Sequence, residues 1–176
     1  PFNRFHGQDI LLSPEMKSTG EVMGLDTDLG TAYAKSQMAS GSSLPLEGRV
    51  FISVSDAHKA EVTDLAKNFA DLGFKLISTT GTAAVLTKAG LEVESVPKLA
   101  EGRPNTLDLL KNNEIQLVIN TPSGQAPRGD EIKIRTTAIY TNTPIMTTIG
   151  GAKAAAEGIA ALKRNGYGVK PLQEYL

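Results

Sequence analysis

Three short stretches of this chain gather hydroxyl, amide and ammonium groups at spacings that suit an anion. They are Ser55-Asp56-Ala57-His58-Lys59, Ser78-Thr79-Thr80-Gly81-Thr82 and Asn120-Thr121-Pro122-Ser123-Gly124. Lys98 follows another apolar run, and Thr147, Thr148, Gly150 and Gly151 follow the last one. Phosphate is the group this chemistry suits. A helix opening at Thr79–Thr82 offers unpaired N–H groups and the positive end of its dipole. Threonine hydroxyls add donors, and Gly81 lets the backbone approach closely. The same residues also make plain caps and turns, and composition alone does not decide between the two uses. Lys59 adds weight to the anion. The pattern puts it in the first turn of a helix, where a cation is disfavoured unless an anion sits beside it. Its alternative is a solvated lysine paired with Asp56 or Asp71, and Lys98 carries the same ambiguity.

Groups for catalysis are sparser. There are no cysteines, which excludes disulfides, thiolate metal sites and a cysteine nucleophile. His6 and His58 share no metal-ligand spacing, so no metal site is expected. No Ser-His-Asp arrangement is suggested, and His58 reads as an exposed first-turn residue. Asp130 follows Gly124–Gly129 and has two readings: a base facing the site, or the N-cap of the next helix, which is preferred. There is no Gly-rich loop ending in GK[ST]. Gly150-Gly151 reads as a tight turn from strand to helix.

Such residues need a scaffold that brings them to one edge. From Arg49 onward apolar runs alternate with helical patterns. Strands are expected at Val50–Val54, Lys75–Ser78, within Leu91–Val96, at Leu117–Asn120 and at Pro144–Thr147. Helices are expected at His58–Leu72, Thr82–Ala89, Asn105–Asn112, Asp130–Tyr140 and Ala152–Arg164, with Gly73 and Gly90 as stops. Five such alternations predict an α/β fold, a five-stranded parallel sheet flanked by helices. Ligands of such sheets bind outside the carboxyl ends of the strands, where the stretches above fall. Ahead of this lies a short N-terminal extension. Residues 1–39 carry one helix, Asp26–Ala39, with Asp26 as N-cap and a weakly apolar face of Leu29, Ala32, Tyr33 and Ser36. Residues 40–48 read as a linker, and 49–176 as the regular domain.

Composition narrows the functions. The 176 residues are 40% hydrophobic and 21% charged, with 18 Lys plus Arg against 19 Asp plus Glu and a net charge of −1. That balance gives no broad footprint for nucleic acid or an anionic membrane. No apolar run approaches the roughly 20 residues of a membrane-spanning helix. The chain starts with Pro1 and shows no signal-peptide pattern, which suggests a fragment of a longer cytoplasmic protein.

Two further motifs carry a family resemblance. Pro1-Phe2-Asn3-Arg4-Phe5 and Pro14-Glu15-Met16-Lys17-Ser18-Thr19-Gly20-Glu21-Val22-Met23-Gly24 closely resemble the end of the second ATP-grasp half of carbamoyl phosphate synthetase large chains. The stretches from Ser53 to Lys59, Ser78 to Thr82, Glu101-Gly102-Arg103-Pro104 and Ile119 to Gly124 resemble the C-terminal allosteric domain of the same family, which shares its fold with methylglyoxal synthase. The resemblance implies a regulatory domain for nucleotide effectors of the UMP (inhibitor) and IMP (activator) type, in an enzyme of the pyrimidine and arginine pathways. Lys59, Thr79, Gly81 and Thr82 would hold the effector phosphate. Lys98, Asn120 and Thr121 would lie along ribose and base, with Asp130 and Ile134 closing the pocket. Thr147 would neighbour an ornithine site. Pro122, Thr80 and Lys133 depart from the pattern of some relatives, which leaves the effector's identity open. No cofactor is expected in this piece; ATP and Mg²⁺ belong to the parent enzyme. Its implied partners are the rest of the large chain, the glutaminase small chain and a second large chain.

Two other readings stand beside this one. A methylglyoxal synthase-type lyase acting on dihydroxyacetone phosphate needs a carboxylate base next to a phosphate site, and Gly129-Asp130 resembles its base motif, although the full Gly-Gly-Asp-Gln run is missing. A docking module would bind no small molecule.

Overall fold

A computed structural model describes residues 4, 7–11, 22–122 and 129–175 of the chain. The elements run α1 (Leu29–Ala39), β1 (Arg49–Ser53), α2 (Val62–Asp71), β2 (Lys75–Thr79), α3 (Thr80–Lys88), β3 (Val93–Val96), α4 (Thr106–Lys111), β4 (Leu117–Asn120), α5 (Gly129–Tyr140), β5 (Ile145–Met146) and α6 (Ile149–Asn165). Short 3₁₀ turns lie at Asp56–His58 and Leu172–Tyr175. The strands form one sheet in the order β3-β2-β1-β4-β5, every pair parallel, as the alternation predicts.

Period-two alternation within apolar strands builds two cores. Val50, Ile52, Leu76, Leu117 and Ile119 face α2 and α6, meeting Val62, Leu65, Phe69, Ala152 and Ile159. Phe51, Ile77 and Val118 face the other way, onto Leu109 and Leu110 of α4 and Ile134 and Ala138 of α5. The chain runs outward from β1 to β3, then returns to β4 on the other side of β1. At that reversal the loops leaving β1 and β4 part company and open a crevice at the carboxyl edge.

Several boundaries differ from expectation, each for a local reason. His58–Leu72 is not one helix. A 3₁₀ turn at Asp56–His58 comes first, and α2 starts only at Val62. The turn is tied to β4's end, because His58 Nδ1 lies 2.9 Å from Ser55 Oγ and 3.2 Å from Thr121 Oγ1. Helical apolar spacing begins at Val62, with Leu65, Ala66 and Phe69 buried after it. Lys59 therefore closes a 3₁₀ turn, and the argument from an α-helix dipole does not apply to it. Helix α1 is capped by Asp28, not Asp26. The Asp28 carboxylate accepts from Thr31 N and from Thr31 Oγ1, both at 2.8 Å, while Asp26 accepts from Lys35 Nζ at 2.7 Å.

The buried face of α1 is Gly30 and Ala34, and Leu29 is 71% exposed. α1 packs on α6 so closely that a Cβ at Gly30 would stand 2.7 Å from the Glu157 carbonyl oxygen. A leucine does not fit that seat. The connecting residues 40–48 bury Leu44 beside Gly158 of α6. Helix α6 starts at Ile149 with Thr148 as cap, so Gly150 and Gly151 lie in its first turn and not in a separate turn before it. Asp130 is the second residue of α5, not its cap. Gly73 (φ +88°) and Gly90 (φ +86°) end α2 and α3 as expected, in a region glycine favours. Among the described residues no helix is long and apolar enough to cross a membrane.

Candidate functional site

The crevice at the carboxyl edge is a cavity of about 660 Å³, within the range of small-molecule sites. Its walls come from four strand ends and from α5. The loop after β1 supplies Ser53 to Lys59, and α3's start supplies Thr79, Gly81 and Thr82. The segment after β3 supplies Lys98, Leu99 and Thr106. Thr121 and Pro122 follow β4, and Asp130, Glu131 and Ile134 come from α5.

α3 begins directly at the end of β2, with Thr79 in extended backbone as its N-cap. The Thr79 side chain makes no capping hydrogen bond, so the plain-cap use of this residue does not hold. The start of α3 thus borders the cavity with no hydrogen bond from its N-cap side chain. Gly81 keeps the approach open: a Cβ there would meet only Lys59 Nζ, at 4.0 Å. Lys59 thus reaches across from the β1 loop to the head of α3. Its ammonium pairs with the Asp56 carboxylate, which is 88% exposed. Lys98 pairs with Glu101 at 3.7 Å, both half in solvent. Exposed pairs of this kind are weak and give way readily to a better anion.

The structure brings Lys59, Thr79, Gly81, Thr82, Lys98, Thr121, Asp130 and Ile134 to one cavity. Thr121 is buried, and its hydroxyl is engaged by Ser55 N at 3.0 Å and by His58. Its job is to hold the β1 loop. His58 is half-buried in that arrangement and not an exposed surface residue. Two expected residues stand off the wall. Asn120 is buried behind it, where its Oδ1 accepts from Arg135 Nη1 at 2.9 Å. Thr147 follows β5, beside the cap of α6. Lys133 is solvent-exposed on α5. His6, Ser123, Gly124 and the run to Arg128 lie outside the described residues.

Behind the cavity sits Arg135, with none of its surface exposed. Its Nε donates to Asp9 Oδ1 at 2.7 Å, Nη2 donates to Asp9 Oδ2, and Nη1 lies 3.8 Å from Glu131. Burial opposes the charge on Asp9, but the hydrogen bonds and charge of Arg135 outweigh it and hold the carboxyl below its usual range. Sequence reasoning passes over this pair, because an arginine in a helix is ordinarily solvated. The available signal is Arg135's place between Ile134 and Ala138 on an inward face.

The chain is 54% identical over 173 residues to the carbamoyl phosphate synthase large chain of Acidobacterium capsulatum, covering 98% of this chain and 16% of that one. It is 50% identical over 175 residues to the Nostoc sp. large chain, with 99% and 16% covered. The chain belongs to the carbamoyl phosphate synthase large-chain family. An arginine-specific, chloroplastic large chain from Oryza sativa subsp. japonica is 46% identical over 176 residues, with 99% of this chain and 15% of that one covered. The chain thus spans about one sixth of the length of these large chains. Residues 61–147 match the MGS-like domain family. A methylglyoxal synthase structure from Elizabethkingia anophelis aligns with a TM-score of 0.53 at 18% identity, covering 64% of this chain and 79% of that one. At that identity the likeness is one of fold, and it agrees with the MGS-like arrangement of sheet and helices.

Proposed function

We propose that this chain is the regulatory domain of a carbamoyl phosphate synthase large chain and binds a nucleotide effector in the carboxyl-edge cavity. The observation that carries the reading is the uncapped start of α3 with Lys59 beside Gly81, a place built for a phosphate. The dianion takes helix-start amides, the Thr79 and Thr82 hydroxyls and the Lys59 ammonium, in place of the Asp56 carboxylate on Lys59. Lys98, Thr121, Asp130 and Ile134 then border the ribose and base. Effectors of the UMP and IMP type fit this division, one inhibiting and the other activating carbamoyl phosphate synthesis for pyrimidine and arginine formation. The rest of the large chain, with its ATP and Mg²⁺, and the glutaminase small chain complete the enzyme.

Calorimetric titration with UMP, IMP, UTP and inorganic phosphate tests this. Saturable one-site binding of at least one nucleotide is expected. Absence of binding by all four would leave a docking module. Turnover of dihydroxyacetone phosphate, with Asp130 as the base, would instead make the chain a lyase.

A further inference from the structure

Among the described residues, one buried hydroxyl beside the cavity has no partner. Thr106 is the first residue of α4, only 1% of its surface is exposed, and its hydroxyl oxygen has no hydrogen-bond partner among the described residues. Capping does not use it. Asn105 Oδ1 already accepts from Leu107 N at 3.0 Å, and the Asp108 carboxylate accepts from Asn105 N at 3.0 Å, which closes the capping box without Thr106. A buried hydroxyl left unpaired is destabilising, and valine has the same shape without it. Stability alone therefore does not account for a threonine here. What Thr106 borders is the cavity, on the β3 side, together with Lys98 and Leu99.

We propose that Thr106 is a ligand contact that hydrogen-bonds a polar atom of the bound phosphate ester beyond its phosphate. The inference rests on the phosphate reading of the same cavity and deepens it. Lys59 and the head of α3 take the phosphate, so the body of the ester lies against the rest of the lining, which includes Lys98, Thr106 and Ile134. The hydroxyl oxygen is itself buried, and threonine has more than one χ1 rotamer, so a turn about χ1 is what brings the hydroxyl to an occupant. An occupant with a donor or acceptor there selects the hydroxyl. Thr106 then sorts esters by what they carry past the phosphate, a task the phosphate-binding groups cannot perform.

The test titrates the full chain and its Thr106→Val and Thr106→Ser variants with UMP, IMP and inorganic phosphate, and records thermal melting without ligand. Valine should melt at or above the wild-type temperature, since it removes an unpaired group. It should weaken whichever nucleotide binds by about two- to tenfold, the value of one neutral hydrogen bond. Its affinity for inorganic phosphate should be unchanged, and serine should keep the wild-type nucleotide affinity. If the wild type binds a nucleotide and valine binds it equally well, the inference is overturned. Equal losses for nucleotide and inorganic phosphate would overturn it too, by placing Thr106 at the phosphate. If valine does not fold, a serine variant with tenfold weaker nucleotide binding counts against the contact, and one with wild-type affinity supports it. A wild type that binds no nucleotide defeats the phosphate reading itself, which is a separate outcome.

Discussion

Lys59 and Asn120 look alike in the sequence, as polar residues following strands, yet the fold gives them different work. Lys59 stands over the head of α3 and pairs with an exposed carboxylate. Lys59→Ala should melt like the wild type, because exposed pairs add little stability. Nucleotide affinity should fall about ten- to a hundredfold, the value of a charge-assisted hydrogen bond, and equally for UMP and IMP. Calorimetry on both nucleotides checks this. Asn120→Ala should act through stability instead, since it strips Arg135 of a buried acceptor. Its melting temperature should drop while the ratio of UMP to IMP affinity holds. Asp9→Asn should lower stability by roughly 3 kcal/mol at neutral pH, because it leaves a buried guanidinium short of its counter-charge. Asp9's carboxyl lies lower folded than unfolded, so its contribution is complete above the unfolded value near pH 4 and fades as pH falls through the folded value. Urea unfolding from pH 7 to pH 2 should therefore show the two proteins converging in acid. That Lys59 and Thr79 would come to one cavity was legible, because each follows a strand of one parallel sheet and such strand ends share an edge. The Asp9–Arg135 pair was not, because its partners are far apart in the chain and neither has an unusual local pattern.

At the scale of elements, apolar strands and the helices between them were readable because burial on both sheet faces writes itself into sequence. What was not readable was how α1 would be seated. Its face of Leu29, Ala32, Tyr33 and Ser36 suggests a loose amphipathic helix, whereas glycine-to-backbone contact decides the packing. That contact sets the sign of a test. Gly30→Ala raises helix propensity by about 1 kcal/mol, and on a free helix it would stabilise. Here the new Cβ meets the Glu157 carbonyl at 2.7 Å, and helix backbone cannot swing aside as a flexible side chain would. The overpacking penalty of about 1–3 kcal/mol should win. Differential scanning calorimetry should show a lower melting temperature, and a rise would mean that α1 does not sit on α6 as described. Gly158→Ala should be milder, because its tightest neighbour is the Leu44 side chain, at 2.9 Å.

Across the whole molecule, the first helix docks on the last. α1 rests on α6, and the carboxyl-terminal turn joins in, with Tyr175 Oη donating to the Leu25 carbonyl at 3.2 Å. This arrangement has a consequence during synthesis. Roughly 110 residues separate the end of α1 from the start of α6, and translation adds about 5–20 residues per second. α1 therefore spends on the order of 5–20 s outside the ribosome with no seat to occupy. An isolated helix of 11 residues is marginal in water, so α1 should stay unformed through that interval. Nascent chains arrested before Ile149 should leave α1 open to protease while β1 to β4 begin to resist it, and chains long enough to expose all of α6 should protect both. The domain, on this account, is sealed by its final helix.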